Sequence, residues 1–573
     1  MKEKFMPKTA VLKENTLLRI KLEGCIVEHA MELPTTYKRI SLTEMKGILE
    51  EAAYNNYIKG IYIDLRGVYG GMDKIESLRR IFAKFKQESG KPVIICSARY
   101  SDVTLAFASI ADERIIRPAG TVYLTGFSFK SLYYRELFDF FDVEPLLYQS
   151  GEHKMNSHPY WSKKMDEYDK NEWMNIEKVL HRNCLNKIAS MSGKSTDMLE
   201  EIINTTPLLT PEQALAQGLV TYIGYESDVD AIMSKYFKIP AVNQGKASDK
   251  KKSTETKFER IDYDQFKNYL VRKYKKIVHT KEGSAVAILP LQGGIEQKER
   301  GTHSINPKWS LPLLKEYGEN KDVKAIIIIL SSPGGDVLPT DEIAHEIKKI
   351  TKTKPVICLV RGYAFSGGQY IAAACTKTIA SSKLSLFGSI GVWSLFMNLK
   401  KALENHAHIH VDGIKTHKFS DIYADPYHPH SEEEKKIIQA STDYVYEIFI
   451  KHIKDSRGMT DEELKKVIGG MLFTAEEALR LKLIDEIIPE DVNDQLSYVI
   501  NIALKEAGID PDEVDEVRRI YPKTTFNLRR FLVYFVNGYP IYTMKKIKEM
   551  KEKHGKTMAR AKIAPCDDEE ALA

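Results

Sequence analysis

The residues around Ser366 are the clearest candidates for chemistry in this chain of 573 residues. Ser366 lies in the segment R-G-Y-A-F-S-G-G-Q-Y, between an apolar run at 355–360 and a run of small residues at 369–375. The apolar run is short and β-branched, which predicts a buried strand, and the small residues after Ser366 predict a helix. A serine at such a turn exposes its hydroxyl, and the helix N-terminus favours developing negative charge. Because S-G-G is also a common simple turn, the motif alone does not identify a nucleophile.

A serine nucleophile needs a base, and the sequence offers two kinds. Histidine is the usual choice, and four histidines follow Ser366, at positions 406, 408, 410 and 417. The other choice is lysine, and Lys154 in L-Y-Q-S-G-E-H-K-M is the candidate. A lysine can deprotonate serine only if burial lowers its pKa from ~10.4 toward neutrality. Most lysines lie at the surface, so the residues alone leave both bases open.

The elements that must position these residues begin with a strand–helix–strand pattern. Alternating hydrophobicity predicts a pair of strands at 15–28 and a further strand at 58–65, which ends at R-G-V-Y-G-G. A helical period follows at 73–89, with Asp73 as its N-cap and a glycine after it, and K-P-V-I-I-C at 91–96 is the next strand. This order of elements predicts a parallel sheet.

The same pattern then recurs. Strands are predicted at 284–291 and 323–330, the second leading into S-S-P-G-G, and a helix is predicted at 340–350. Gly335 follows Gly71 by 264 positions, and T-A-E-E-A-L follows T-P-E-Q-A-L by the same number. A constant spacing over so long a span indicates two fused copies of one α/β unit.

The two copies set the predicted domain boundaries. We expect a first copy at 1–240, a linker and connecting segment at 241–282, a second copy at 283–510 and a basic, partly helical extension at 511–573. The spacing between Lys91 and Lys354 is 263 positions, and it places Val103 opposite Ser366, so the first copy is expected to have the scaffold without the nucleophile. The spacing of 264 positions places Lys418 opposite Lys154, which makes Lys418 a rival for the base.

The composition favours a soluble globular protein without a cofactor. A net charge of +5 is too mild to favour nucleic-acid binding. The six cysteines show no paired spacing, which indicates buried thiols rather than disulfides or a metal site. The glycine-rich turns lack the spacing of a phosphate-binding loop, and no run approaches the ~18 apolar residues of a membrane-spanning helix. No signal peptide is visible, although Phe531–Val536 could lie at a membrane surface.

Four motifs give the chain a family resemblance. They are S-S-P-G-G at 331–335, Y-A-F-S-G-G at 363–368, F-G-S-I-G-V at 387–392 and G-E-H-K at 151–154. With them, and with the duplication, residues 15–500 resemble signal peptide peptidase A of the long, internally duplicated type. This is a family of Ser-Lys peptidases in the ClpP/crotonase fold superfamily. The resemblance implies two tandem ClpP/crotonase-like units of ββα elements and a C-terminal helical extension.

The resemblance also assigns roles to residues. Ser366 would be the nucleophile and Lys154 the general base, brought across the interface between the copies. Ser389 would orient the lysine. Backbone N–H groups near Gly334, Gly335 and Gly367 would form the oxyanion hole, and hydrolysis would pass through an acyl-enzyme.

The implied substrates are hydrophobic peptides, such as signal peptides left after secretion. The implied assembly is a homotetramer, and the implied location is the bacterial cell envelope, at the cytoplasmic membrane. The family usually carries an N-terminal membrane anchor, which this sequence does not show. Three alternatives stay open: a crotonase-like acyl-CoA enzyme, an inactive scaffold, and a Ser-His-Asp peptidase that uses one of the histidines at 406–417.

Overall fold

A computed structural model describes most of the chain: residues 12–28, 38–237, 258–274, 284–297, 304–423, 425–514, 516–522 and 541–542. These residues form two large sheets, one in each copy, and a two-stranded ribbon between the copies. The first large sheet has the strand order β2-β1-β3-β4-β5-β7, and the second has the order β16-β14-β12-β11-β10-β18-β19. Nearly all neighbouring strands in both sheets run parallel, as the strand–helix–strand pattern predicts.

The first copy contains nine strands and ten helices within the described residues. Its strands are β1 Thr16–Val27, β2 Arg39–Ser41, β3 Ile58–Tyr69, β4 Val93–Ser101, β5 Glu113–Tyr123, β6 Glu144–Ser150, β7 Leu208–Leu209, β8 Tyr222–Ile223 and β9 Glu259–Asp262. Its helices are α1 Leu42–Tyr54, α2 Met72–Ser89, α3 Asp102–Ala108, α4 Arg135–Phe140, α5 His158–Trp161, α6 Glu167–Ser192, α7 Thr196–Thr205, α8 Pro211–Ala216, α9 Val229–Ser234 and α10 Tyr263–Tyr274.

The second copy contains ten strands and eight helices within the described residues. Its strands are β10 Ala285–Gln292, β11 Val323–Ser332, β12 Val356–Phe365, β13 Lys377–Ala380, β14 Leu386–Gly388, β15 Val392–Asn398, β16 Leu472–Thr474, β17 Glu486–Ile487, β18 Glu516–Ile520 and β19 Ile541–Tyr542. Its helices are α11 Pro307–Glu319, α12 Val337–Thr351, α13 Gly367–Ala373, α14 Lys400–Ala402, α15 Glu432–Arg457, α16 Asp461–Leu464, α17 Ala475–Arg480 and α18 Gln495–Glu506.

The central strands are apolar throughout because helices cover both faces of each sheet. In β11, Ile326 and Ile328 pack in one core cluster with α12 and α13, whereas Ile327 and Ile329 pack on the other face, with α18. A continuous apolar run such as I-I-I-I is therefore what a doubly covered parallel strand requires.

The predicted duplication is confirmed in three dimensions, down to local detail. The order β1-β3-β4-β5 recurs as β10-β11-β12-β14, and each copy closes this row with an antiparallel strand, β7 or β16. Lys91 and Lys354 occupy matching places, and each ammonium group donates to backbone carbonyls of its own copy. The predicted α/β fold class, with two tandem copies of one unit, is confirmed.

Four expectations differ from the structure. Helix α2 begins at Met72, and its N-cap is Gly71 rather than Asp73. Within residues 15–28, Thr16–Val27 form one long strand, β1, rather than a pair. Strand β9 lies in the segment expected to be a linker and pairs with β1, and β18 lies in the expected extension and pairs with β10 in the same manner. The repeated unit is thus longer than the sequence spacing indicates. The polar stretch at 243–257, the helical part of the extension and Phe531–Val536 lie outside the described residues.

The register of the strands also corrects the comparison with Val103. Ser101 is the last paired residue of β4, opposite Tyr123, and Phe365 is the last paired residue of β12, opposite Gly388. The residue that follows Ser101 is Asp102, so strand register makes Asp102 the counterpart of Ser366. The start of the next helix instead makes Ser101 the counterpart, because Ser101 and Ser366 are the N-cap residues of α3 and α13. Neither comparison points to Val103, because the spacing of 263 positions taken from Lys91 and Lys354 does not hold at this turn.

The copies are joined by a ribbon and by a buried polar interface. In the ribbon, β6 of the first copy pairs antiparallel with β15 of the second, with Ser150 opposite Val392. In the interface, the Asp73 carboxylate accepts hydrogen bonds from the hydroxyls of Ser381, Ser382 and Ser385. Among the described helices, none is both long and apolar enough to cross a bilayer.

Candidate active site

Ser366 lies at the sharp turn between β12 and α13. Its backbone has φ 52° and ψ −119°, a conformation that L residues rarely adopt. Such strain is typical of a nucleophile held on a strand–helix turn. Its N–H donates to the Gly388 carbonyl at 2.9 Å, which fixes the turn against the end of β14.

The glycines beside Ser366 leave no room for side chains. A Cβ on Gly334 would lie 2.6 Å from the Ser366 Cβ, and one on Gly335 would lie 2.0 Å from the Ile295 carbonyl oxygen. A Cβ on Gly367 would lie 2.7 Å from the Thr340 hydroxyl. These three glycines therefore allow backbone to approach the serine closely.

The N–H groups of these glycines differ in their surroundings. The Gly334 N–H donates to the Ser332 hydroxyl at 3.1 Å. Gly367 is the first residue of α13, where helical N–H groups have no partner within the helix. An anion at Ser366 would therefore meet the N-terminal end of α13.

Lys154 reaches the same place from the first copy. It follows β6, whose pairing with β15 carries the chain across to the second copy. Its side chain is only 1% exposed, and its Nζ donates to the Ser389 carbonyl at 2.6 Å and to the Ser389 hydroxyl at 2.9 Å. Burial lowers the pKa of the Lys154 ammonium from 10.5 to about 7, because the charged form loses its hydration.

Ser389 links the lysine to the serine. Phe365 and Gly388 are paired at the ends of β12 and β14, so the next residue on each strand, Ser366 and Ser389, lies at the same edge of the sheet. Ser389 also has a left-handed backbone, with φ 55°. The structure thus places Lys154 against Ser389, which directly follows the residue that accepts the Ser366 N–H, although Lys154 is 212 positions from Ser366 in the sequence.

The loop at residues 469–471, which sequence reasoning missed, holds Lys154 in place. The His153 N–H donates to the Gly469 carbonyl at 2.7 Å, and a Cβ on Gly470 would lie 2.6 Å from the Lys154 backbone nitrogen. The Ser389 N–H donates to the Met471 carbonyl at 2.6 Å. The sequence did contain a signal for this loop. The two glycines at 469–470 occur only in the second copy, because Thr205 and Thr206 occupy the matching positions, 264 residues earlier, in the first copy.

Glu172 is a second missed residue. From α6 of the first copy, its carboxylate accepts a hydrogen bond from the Leu472 N–H at 2.8 Å and another from the Tyr168 hydroxyl at 3.2 Å. Leu472 belongs to β16 and pairs with Gly388. Burial raises the pKa of Glu172 from 4.5 to about 7. A lone glutamate in a helix gave no sequence signal of this contact.

The rival bases lie elsewhere. Lys418 is 63% exposed and forms an ion pair with Glu433, also at the surface. The histidines at 406, 408, 410 and 417 are all exposed, and His406 contacts Asp142 at 3.1 Å. Neither Lys418 nor these histidines share the buried setting of Lys154.

Comparison with known proteins identifies the family of this chain. The chain matches the model of peptidase family S49 over residues 85–239 and 348–496, one region in each copy, and that of Clp protease over residues 310–384. It is 25% identical to Protease 4 of Haemophilus influenzae over 462 residues, which are 78% of this chain and 71% of that protein. It is 25% identical to the chloroplastic serine protease SPPA of Arabidopsis thaliana over 507 residues, 87% of this chain and 70% of that protein. It is 26% identical to Protease 4 of Salmonella typhi, over 86% of this chain and 77% of that protein.

The two S49 regions together cover more than half of the chain, and each lies within one structural copy. The chain belongs to peptidase family S49 and is a serine peptidase.

Proposed function

We propose that this serine peptidase is an endopeptidase with a Ser366–Lys154 dyad. One observation carries the proposal: a fully buried lysine with a pKa near 7 is held by Ser389 at the sheet edge where Ser366 ends its strand. At neutral pH about half of such lysines are uncharged, and an uncharged amine can accept a proton from a hydroxyl. The dyad takes one residue from each copy, which explains why neither copy has a complete site.

The chemistry would proceed in two stages. Lys154 removes the proton from the Ser366 hydroxyl as its oxygen attacks the peptide carbonyl carbon. Backbone N–H groups of Gly335 and Gly367 stabilise the oxyanion. The ammonium then protonates the leaving amine, which departs and leaves an ester on Ser366. Lys154 next activates a water molecule, which hydrolyses the ester and releases the second product.

Ser389 would act by positioning the base. Its carbonyl and hydroxyl both accept hydrogen bonds from the Lys154 Nζ, which fixes the long, flexible side chain in one direction. The buried amine needs hydrogen-bond acceptors that hold it near the serine, and the carbonyl and hydroxyl of Ser389 provide two of them.

Hydrophobic peptides, such as cleaved signal peptides, are the proposed substrates. Aromatic rings lie next to the site: Trp393, two residues after Gly391, stacks on Tyr160 with ring centroids 5.7 Å apart, and Tyr160 contacts Tyr134 at 6.0 Å. Such a surface suits apolar side chains of an extended peptide. A 32% identical region of 188 residues in an Enterococcus faecium protein named putative signal peptide peptidase SppA agrees with this substrate class.

The family resemblance further supports a homotetramer and association with the cytoplasmic membrane of the bacterial envelope. The homotetramer, the membrane association and the acyl-enzyme intermediate are all parts of the proposal. A closed assembly would restrict access to flexible, unfolded chains, which suits a peptidase that must spare folded proteins.

The test is covalent capture of the acyl-enzyme. The wild-type protein and Ser366→Ala are each mixed with an activated ester of a hydrophobic peptide, and intact masses are measured before hydrolysis completes. The proposal predicts one added acyl group, mapped to Ser366 and absent from the variant. An acyl adduct on another residue, or rapid turnover of an acyl-CoA thioester by Ser366→Ala, would contradict it and favour a crotonase-like enzyme.

A further inference from the structure

Three polar side chains of the first copy form a cluster shortly after Lys154. His158 is the first residue of α5, Asp166 is the N-cap of α6, and Asp169 lies in the first turn of α6. One nitrogen or oxygen atom of each side chain lies within 4.8 Å of the other two. None of the three takes part in the proposed catalytic reaction. An imidazole with two carboxylates is, however, a set of ligands that divalent transition metals use in proteins.

Asp169 contains an oxygen atom that the fold does not satisfy. Its side chain is only 3% exposed, and its Oδ2 lies 2.7 Å from the Nδ1 of His158. Its Oδ1 is buried and has no hydrogen-bond partner among the described residues. A buried carboxylate oxygen without a partner is unfavourable. Because a carboxylate can bind a cation through one oxygen or both, an ion at the cluster would satisfy this group.

Asp166 brings a second carboxylate to the same place. Its Oδ1 accepts a hydrogen bond from the Asp169 N–H at 2.8 Å, which holds the side chain over the first turn of α6. Asp166 is exposed, whereas the other two members of the cluster are buried. The cluster is therefore open to solvent on one side, so an ion can enter and water can complete its coordination.

A simpler interpretation leaves part of the geometry unexplained. A hydrogen-bonded His158–Asp169 pair beside an ordinary helix cap accounts for the contacts at 2.7 Å and 2.8 Å. It does not account for the unpartnered Oδ1, or for two carboxylates that lie side by side and repel each other. A cation removes both of these costs.

The cluster needs only a small adjustment to hold a metal ion. Tetrahedral zinc, with bonds of about 2.0–2.1 Å, separates its ligand atoms by roughly 3.3 Å. The distance of 2.7 Å between the His158 Nδ1 and the Asp169 Oδ2 must therefore increase by about 0.6 Å. The imidazole then binds through Nδ1 in its neutral form, with the ring proton on Nε2.

We propose that His158, Asp166 and Asp169 bind one zinc ion, with a water molecule as the fourth ligand. A ring nitrogen with two carboxylates suits Zn²⁺, whereas Mg²⁺ and Ca²⁺ prefer sites made of oxygen alone. The ion connects the start of α5 to the start of α6 and neutralises the two carboxylates.

The ion also holds the segment that carries Lys154. Ser157, which precedes the histidine ligand, donates its hydroxyl to the Lys154 carbonyl at 3.0 Å. Tyr168, which precedes the second aspartate ligand of α6, stacks on His153 with ring centroids 3.8 Å apart. Zinc therefore joins the residues on the two sides of Lys154. The binding of zinc is independent of the dyad, whereas its effect on the base rests on the proposed function.

Calorimetric titration of the full chain with Zn²⁺ tests the site. The protein carries no histidine tag, has the exposed Cys25 and also Cys566 replaced by serine, and is freed of metal with a chelator beforehand. We expect a site for one Zn²⁺ per chain, which Asp166→Ser and His158→Gln should each weaken at least about tenfold, because even the loss of an outer-shell partner costs about 10–100-fold. Serine caps a helix as well as aspartate does, so Asp166→Ser removes the ligand and keeps the cap. Mg²⁺ and Ca²⁺ in the same assay should bind much more weakly.

A second group of similar composition provides the matched control. Asp421, Asp425 and His428 also lie within reach of one another, but all three are partly exposed. His428→Gln should leave the zinc affinity of the site unchanged. Amide hydrogen exchange then locates the ion: Zn²⁺ should slow exchange over residues 153–169, and not over residues 417–433, which lie 264 positions later and contain the control group.

Three results would overturn the zinc site. The first is the absence of Zn²⁺ binding to the metal-free wild type. The second is wild-type affinity in both Asp166→Ser and His158→Gln. The third is loss of binding in His428→Gln, together with slowed exchange over residues 417–433 alone. All three are measured without a peptide substrate, so they leave the dyad to its own test.

Discussion

The pH dependence of peptide hydrolysis follows from the burial of Lys154. With a pKa of about 7, the amine is ~9% uncharged at pH 6 and ~91% uncharged at pH 8. Since only the uncharged amine can act as the base, kcat/KM should rise about tenfold between these values and then level off. An ordinary lysine would give a different profile: a rise of about a hundredfold over the same range, continuing tenfold per pH unit to about pH 10.

The assay is initial-rate hydrolysis of one fluorogenic hydrophobic peptide from pH 5 to pH 10, at substrate concentrations below KM. Glu172 has a pKa near the same value, so it must be separated from the lysine. Glu172→Gln is the control variant, and its inflection should stay near pH 7 if Lys154 causes it. A rise that continues past pH 9, or an inflection that disappears in Glu172→Gln, would refute the assignment.

The lowered pKa of Lys154 also predicts how the free energy of unfolding depends on pH. The folded state lowers the pKa of Lys154, so between about pH 7 and pH 10.5 the unfolded chain binds more protons than the folded one. Stability should therefore rise with pH in this window, by up to ~1.4 kcal/mol per unit. Lys154→Met lacks this pH-dependent contribution. The free energy of unfolding of the variant minus that of the wild type should therefore fall by about 2 kcal/mol from pH 7 to pH 9. Urea denaturation at both values checks this, and an unchanged difference contradicts it.

Three further substitutions have defined outcomes. Ser389→Ala removes one of the two acceptors of the Lys154 Nζ, so kcat should fall about 10–100-fold with KM nearly unchanged, and Ser389→Thr should restore part of it. Gly335→Ala should abolish hydrolysis because its Cβ would collide with the Ile295 carbonyl, whereas Gly71→Ala, the matched change in the first copy, has nothing within 4 Å and should keep wild-type kinetics. Asp73→Asn should lower the urea midpoint by an amount equivalent to about 1–3 kcal/mol, because the buried carboxylate accepts from three serine hydroxyls and from the Gly362 N–H. An unchanged midpoint would show that Asp73 does not hold the copies together.

The parts of the structure that repeat could be predicted from the sequence. The strands and helices of each βαβ unit show their own hydrophobic period and turn residues, and the duplication repeats this pattern a second time in the sequence. The turn that holds the proposed nucleophile was also predictable, since Ser366 follows an apolar strand and precedes two glycines, but the local pattern alone did not assign its role. The role of Lys154 came from family resemblance, because a lysine 212 positions away carries no local signal.

What could not be predicted depends on pairing between distant segments. Strands β9 and β18 are short and partly charged, so only their contacts with β1 and β10 reveal them as strands. The residue opposite Ser366 depended on strand register and on where the next helix begins, and a spacing of 263 positions pointed to Val103, which neither supports. Glu172 accepts a hydrogen bond from the backbone N–H of Leu472, and the residue types alone do not predict that contact.

The most direct test of the dyad is cleavage of one hydrophobic signal peptide by the wild type, Ser366→Ala, Lys154→Ala and Lys418→Ala, each assayed at several protein concentrations. The first two variants should lose activity, because they remove the nucleophile and the buried base. Lys418→Ala should retain wild-type turnover, because Lys418 lies at the surface and pairs with Glu433. Cleavage by Ser366→Ala, or loss of the chemical step in Lys418→Ala with Lys154→Ala active, would contradict a site built from both copies.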